Sequence, residues 1–218
     1  MVNYSLCIVT RDVESLQRGH LEVARAALRG GATMVQLRDK RLSGRALLAL
    51  AEALRQLTRA HGATFIVNDR VDIALASASD GVHLGDEDIP VSVARRLLGP
   101  EAVIGASVDN PQEARAAEAA GASYLGVGPV FPTGSKPDAG AAIGIGSIGE
   151  IARAVTIPVL AIGGLTCDNV PSVIEAGADG IAVISAVAEA DDMEAAAHLL
   201  LDCVRAARRR PEKRKQSS

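Results

Sequence analysis

Aromatic side chains are nearly missing from this chain: its 218 residues include two Phe, two Tyr and no Trp. The core must therefore be filled by Ala, Val, Leu and Ile, and hydrophobic residues do make up 48% of the sequence. Cysteine is also sparse. Cys7, Cys167 and Cys203 are odd in number and show no CxxC or Cys/His spacing. That excludes a disulfide framework and a zinc site, and leaves the three thiols as packing residues. No apolar run approaches the roughly 20 residues of a membrane span. The opening Met-Val-Asn-Tyr-Ser-Leu lacks the charged start, apolar middle and small-residue cleavage site of a signal peptide. The expectation is a soluble cytoplasmic protein with no membrane partner.

Charge is low overall but uneven. The net charge is −3, yet residues 205–218 hold seven Lys/Arg against one Glu, a local net of +6. The remaining 204 residues carry −9. With no aromatic residue or folded basic face beside it, the tail reads as a solvated, disordered segment and not as a nucleic-acid arm.

What the chain has in abundance is alternation. Apolar runs with β-strand character lie at 5–10, 34–37, 64–67, 81–84, 102–105, 123–127, 158–162 and 180–184. Between them, segments of helical period lie at 14–29, 43–61, 71–77, 91–98, 110–120, 147–154, 168–176 and 192–208. Ser43 is placed to cap its helix, and Asn110-Pro111 joins a cap to a first-turn proline. Leu47, Leu50, Ala51, Leu54 and Leu57 form one apolar stripe. Gly30-Gly-Ala-Thr, Ala119-Ala-Gly-Ala-Ser and Glu175-Ala-Gly-Ala-Asp recur where a helix hands over to a strand. Eight such β/α units predict an α/β fold: a single-domain (β/α)8 TIM barrel over residues 1–204, followed by the basic tail at 205–218.

In a parallel barrel the strand C-termini and the loops after them share one rim. Polar residues are concentrated there. Strand 2 delivers Gln36, Arg38 and Lys40, aimed alike by alternation and suited to phosphate oxygens, although an ordinary surface pair has the same look. Strand 3 ends in Asn68-Asp69, and Asp86, Glu87 and Asp88 follow strand 4. Asp69 and Asp88 are the candidate pair for a hard divalent cation, with helix capping as the competing reading. Ser107 follows strand 5 as a hydroxyl donor. The connection from 128 to 146 is long and rich in Gly and Pro, and carries Thr133, Ser135 and Lys136. Gly163-Gly164 and Ile184-Ser185 end strands 7 and 8, where such barrels often hold phosphate on backbone N–H groups. His20, His61 and His198 fall in helical segments, and His83 alternates with Val82 and Leu84; all four read as packing or surface residues. No Ser-His-Asp or Cys-His set is evident.

As a set, Gln36-Leu-Arg-Asp-Lys40, Val67-Asn-Asp-Arg70, Gly81-Val-His-Leu-Gly-Asp-Glu-Asp88, Gly128-Pro-Val-Phe-Pro-Thr-Gly-Ser-Lys136, Ala161-Ile-Gly-Gly164 and Ala176-Gly-Ala-Asp-Gly-Ile-Ala-Val-Ile-Ser185 resemble the thiamine phosphate synthase family. The resemblance implies a Mg²⁺-dependent transferase of thiamine biosynthesis acting on two small molecules. A pyrimidine diphosphate loses pyrophosphate, and the nitrogen of a thiazole phosphate attacks the pyrimidine methylene. It further implies that Gln36, Arg38, Lys40, Asn68, Ser107 and Lys136 hold the pyrimidine diphosphate, with Arg38, Lys40, Ser107 and Lys136 serving catalysis. Asp69 and Asp88 would bind Mg²⁺. Thr133, Ser135, Gly164, Ile184 and Ser185 would hold the thiazole phosphate. Asp109 stands where relatives often carry His. A thiazole tautomerase on the same barrel is the alternative; it needs a proton-transfer residue near that position and no metal carboxylates. The sequence leaves open a homo-oligomer.

Overall fold

Strands that are buried on both faces read as continuous apolar runs, because one face meets helices and the other meets the barrel interior. Leu6–Thr10 (β1) is such a run, buried at every position. The computed structural model describes residues 2–135 and 140–209. Within them β1 is followed by α1 (His20–Arg29), β2 (Met34–Leu37), α2 (Gly44–Ala60), β3 (Thr64–Asn68), α3 (Val71–Ala76), β4 (Gly81–Leu84) and α4 (Val91–Leu98). The second half runs β5 (Val103–Val108), α5 (Pro111–Ala119), β6 (Tyr124–Val127), α6 (Gly144–Ala152), β7 (Val159–Ile162), α7 (Val170–Glu175), β8 (Gly180–Val183), α8 (Ser185–Ala188) and α9 (Met193–Arg209). All neighbouring strands are parallel, and β8 pairs back onto β1 with Leu6 opposite Ile181 and Ile8 opposite Val183. This is the closed (β/α)8 barrel expected from the sequence.

Alternation sorts the side chains. Leu6, Ile8, Leu125, Val127, Ala161 and Ile181 pack outward against the helices of one half, and Val35, Leu37, Phe65, Val67 and Ile104 against those of the other. Cys7, Val9, Met34, Ile66, Tyr124, Leu160 and Ala182 form the inner cluster. The interior positions nearest the C-terminal mouth are polar: Gln36, Asn68, His83 and Ser107. The cap predictions hold. Ser43 accepts from the Ala46 N–H at 3.4 Å, and Asn110 accepts from Gln112 and Glu113, both at 3.0 Å. Gly31, Gly121 and Gly177, the shared glycines of the recurring motif, have φ of +94°, +96° and +121°, a region where a side chain is disfavoured.

Five boundaries differ from the sequence expectation. The stretch 14–29 is not one helix: a 3₁₀ turn at Glu14–Leu16 ends at Gln17 with φ 54°, and a Val13–Arg18 bridge closes the loop before α1 begins. Leu16 is consequently 45% exposed, off the buried face. β5 continues through Ser107 and Val108 because both pair with β6, opposite Gly126 and Val127. Ser107 therefore sits within the strand. α6 starts at Gly144, inside the segment expected as loop. The short α8 at Ser185–Ala188 is an element the sequence pattern does not predict. α9 runs to Arg209, past the expected tail boundary at 205, because Val204 and Ala207 are buried and Arg208 donates to the Ser5 Oγ at 2.8 Å. Residues 210–218 lie outside the described residues. Among the described residues no helix is long and apolar enough to cross a membrane.

Candidate active site

Two of the cavities at the C-terminal ends of the strands share Pro129 in their walls, and a third, over β1 and β2, is lined by Thr10, Arg38, Asp39, Lys40, Ser135 and Ile184 among others. The smaller of the first two, about 60 Å³, lies over β7 and β8. All five residues expected to hold one phosphate line it: Thr133, Ser135, Gly164, Ile184 and Ser185. Ser135 Oγ meets Ser185 Oγ at 2.6 Å, and the Ser135 N–H donates to Thr133 Oγ1 at 3.2 Å, so the β6 loop is latched onto the start of α8. The first N–H groups of a helix have no intrahelical acceptor and suit an anion. Gly164, at φ +63°, lies so close to the β6 loop that a Cβ there would be 2.7 Å from Phe131 Cβ. Its carbonyl accepts from Asn169 Nδ2 at 2.9 Å, which pins the turn.

The larger of those two, about 510 Å³, lies over β2 to β5. Arg38, Lys40, Asn68, Asp69, Asp88 and Ser107 line it as expected. Asp86, Glu87, Asp109 and Glu113 also line it. Acidic groups thus outnumber the two cations among the described residues that line it. Burial and then the adjoining Asp88 carboxyl push the Asp69 carboxyl up to about 6, against the pull of Lys40 and Arg38. Burial, Glu113 and Asp86 likewise raise Asp109. Two carboxyls within hydrogen-bond reach of each other at a cavity wall repel as anions, and a hard divalent cation relieves that repulsion. The donor set at Asp69 and Asp88 therefore fits such an ion. The capping reading does not fit, since α3 and α4 start from Arg70 and Pro90 with no side-chain cap bond. Asp69 sits in left-handed backbone, φ 63°, with its N–H on the His83 carbonyl at 2.8 Å. Asp88 accepts from the Gly85 N–H at 2.7 Å.

Arg38 and Lys40 both line this cavity, Arg38 half-buried and Lys40 exposed. Asp39 between them lines the cavity over β1 and β2, as Arg38 and Lys40 also do. Burial works against its charge, but the N–H groups of Arg41 (2.7 Å) and Leu42 (2.9 Å) and the His20 ring (3.2 Å) outweigh it and hold the carboxyl below its ordinary value. Asp12, His20 and Asp39 offer potential ligand atoms within 4.8 Å of one another. His20 is already engaged there by Asp39 and by Thr10 Oγ1 at 2.8 Å, so the group reads as a clamp between the β1 and β2 loops.

Gln36 departs from expectation. It is 4% exposed and lines neither of the two cavities that share Pro129. Alternation placed it on the right face but not at the right depth. Lys136 lies outside the described residues. His83, read from sequence as packing, lines the larger cavity, and no sequence motif points to Glu113, which lines it too, or to Tyr124. The signal for His83 and Tyr124 was the pair Gly105 and Gly126, bare interior positions beside two ring side chains in a chain otherwise short of rings.

A family model for thiamine monophosphate synthase matches residues 6–187. The chain belongs to the thiamine monophosphate synthase family. Curated relatives named thiamine-phosphate synthase include one from Moorella thermoacetica, 56% identical over 95% of this chain and 99% of the relative. Another, from Methanoculleus marisnigri, is 51% identical over 95% and 98%. A solved thiamine phosphate pyrophosphorylase from Pyrococcus furiosus superposes with a TM-score of 0.86 at 45% identity, covering 94% of this chain and 98% of that one. For this member of the thiamine monophosphate synthase family, these relatives give no support to the tautomerase alternative. Asp109, the position on which that alternative turned, lies in the acidic wall with its N–H on Glu113 Oε2 at 2.9 Å.

Proposed function

We propose that this protein is a thiamine-phosphate synthase whose two cavities hold its two substrates side by side. The observation that carries the reading is the shared wall at Pro129: a hydroxyl- and glycine-lined anion cradle on one side, and cations with paired carboxylates on the other. A thiazole phosphate would seat its phosphate on Thr133, Ser135, Gly164, Ile184 and Ser185. A pyrimidine diphosphate would lie in the larger cavity against Arg38, Lys40, Asn68, Ser107 and Lys136. Asp69 and Asp88 would hold Mg²⁺, which supplies charge neutralisation on the diphosphate when bound.

The chemistry is transfer of a pyrimidinylmethyl group. The methylene–oxygen bond breaks and its electron pair leaves with pyrophosphate. The thiazole nitrogen then forms the new C–N bond. Arg38 and Lys40, with Lys136 as the family resemblance implies, would meet the charge that grows on the leaving group and so stabilise the transition state more than the ground state. The cradle over β7 and β8 fixes the approach of the nucleophile, and no covalent enzyme intermediate is needed.

Purified protein supplied with Mg²⁺, hydroxymethylpyrimidine diphosphate and thiazole phosphate is expected to release pyrophosphate and form thiamine phosphate. Omission of any one of the three is expected to abolish the product. Conversion of a thiazole phosphate tautomer without Mg²⁺ or the pyrimidine would overturn the reading in favour of an isomerase.

A further inference from the structure

Asparagine at the start of a helix ordinarily turns its side chain onto the helix's own first N–H groups. Asn169 immediately precedes α7 and does not, for α7 has no side-chain cap bond. Its side chain turns back instead to the loop that follows β7. Nδ2 donates to the Gly164 carbonyl at 2.9 Å, and Oδ1 accepts from the Thr166 N–H at 2.9 Å. The partners fix the direction of both bonds, because a carbonyl only accepts and an N–H only donates. Asn169 is itself anchored. Its N–H donates to the Thr166 carbonyl at 3.1 Å, and its carbonyl accepts from Ser172 Oγ at 2.7 Å.

The consequence falls on the peptide between Gly164 and Leu165. A trans peptide is planar, and its C=O and N–H point opposite ways. This one is trans. With the Gly164 carbonyl drawn to Asn169, the Leu165 N–H points away from Asn169. The preceding peptide is held in the same manner: the Gly163 carbonyl accepts from the Phe131 N–H at 3.2 Å, which turns the Gly164 N–H away from Phe131. Gly163, Gly164 and Leu165 all line the cavity over β7 and β8, as does Ser185. Glycine puts few limits on φ and ψ. Released from Asn169, the Gly164–Leu165 peptide is free to turn over and offer the cavity a carbonyl oxygen, which repels an anion.

Resting on the reading of this cavity as the thiazole phosphate cradle, we propose that Asn169 is a positioning residue: it holds the Gly164–Leu165 peptide so that the Leu165 N–H donates to the bound phosphate. Leu165 contributes only that backbone group, since the residue is 4% exposed and packs in the core. Asn169 is not part of the cavity wall and acts through the peptide.

The test uses full-length protein and two variants. Asn169→Asp keeps an acceptor for the Thr166 N–H and replaces only the donor. Asn169→Leu removes both bonds without adding a charge. By calorimetry both are expected to bind thiazole phosphate about tenfold more weakly than the wild type. A loss confined to Asn169→Asp would show a through-space effect of the new charge and overturn the proposal. The Leu165 amide is followed directly in protein labelled with ¹⁵N-leucine, with Leu165→Met to assign its signal. In the wild type its proton is expected to move downfield when thiazole phosphate binds, and in both variants to move less than half as far at saturation. An unmoved wild-type signal despite binding would overturn the proposal, and so would equal movement in the variants. If Asn169→Leu does not fold, this comparison in Asn169→Asp decides alone. Inorganic phosphate as a second probe separates the proposal from the functional reading. A Leu165 shift that needs Asn169 and appears with inorganic phosphate, but no binding of thiazole phosphate, would refute the substrate and uphold the positioning role. Wild-type protein that binds neither probe would overturn both.

Discussion

Gly164→Ala and Gly62→Ala place the same side chain on nearly the same backbone, φ +63° and φ +65°, in different surroundings. At Gly62, after α2 and on the rim opposite the cavities, nothing lies within 4 Å of the new methyl. That variant bears only the left-handed strain, about 1–2 kcal/mol. At Gly164 the methyl would meet Phe131 Cβ at 2.7 Å and the Pro132 carbonyl oxygen at 2.8 Å. Neither is the end of a flexible side chain, so the β6 loop itself must move. Overpacking of that kind adds about 1–3 kcal/mol. Gly164→Ala is thus expected to lose roughly 2–5 kcal/mol in urea unfolding, with an unchanged m-value, and Gly62→Ala roughly 1–2. The moving loop carries Thr133 and Ser135, half of the Ser135–Ser185 latch. The KM for thiazole phosphate is expected to rise at least tenfold in Gly164→Ala and to stay unchanged in Gly62→Ala. Equal destabilisation by the two variants, or an intact thiazole phosphate KM in Gly164→Ala, would refute the claim that close approach of the glycine to the β6 loop shapes the cradle.

Asp69→Asn and Asp88→Asn are each expected to raise the Mg²⁺ concentration for half-maximal turnover at least tenfold while leaving the circular dichroism spectrum intact; loss of the folded spectrum would make the carboxylates structural. Arg95 donates to the carbonyls of Gly99, Pro100, Ala102 and Gly121 and to Ser123 Oγ, at 2.7 to 3.2 Å. Arg95→Ala is expected to lose about 2–3 kcal/mol by denaturant unfolding, and Arg95→Lys to recover little of it, because an ammonium cannot reproduce the fork. Asp39 has a depressed carboxyl, so its stabilisation is complete above the unfolded value and is lost as pH falls through the folded one. Asp39→Asn is expected to cost about 1–2 kcal/mol at pH 7, a difference that fades as unfolding is measured below about pH 4.

The strand segments were legible because a parallel barrel needs each strand apolar on both faces, and Leu6–Thr10 or Met34–Leu37 can be nothing else in a chain of this pattern. The rim was legible for the same reason: a polar residue just past such a run has only one place to go. Depth and length were not. Ser107 lies inside β5 because β6 supplies Gly126 and Val127 as partners, and no local feature of 102–108 reports that pairing. Gln36 and Arg38 share a parity, yet one is sealed in the barrel and the other faces the cavity. The contact between His83 and Tyr124 spans 41 residues of sequence and depends on two glycines from two strands. Leu16 carried the helical period of its segment, but the backbone reversal at Gln17 removed it from the buried face.

Closure of β8 onto β1 has a consequence for how the chain is made. Leu6 at the start must find Ile181 near the other end, and Arg18 must reach the carbonyls of Ala188 and Ala190. During synthesis β2 to β7 can add to the growing sheet in order, each beside the last. Until residue 183 has left the ribosome, however, β1 keeps one row of N–H and C=O groups unpaired, and so does the latest strand. Such open edges invite pairing with other chains. A ribosomal pause before β8 therefore exposes two sticky edges on one nascent chain, whereas a pause after it exposes none.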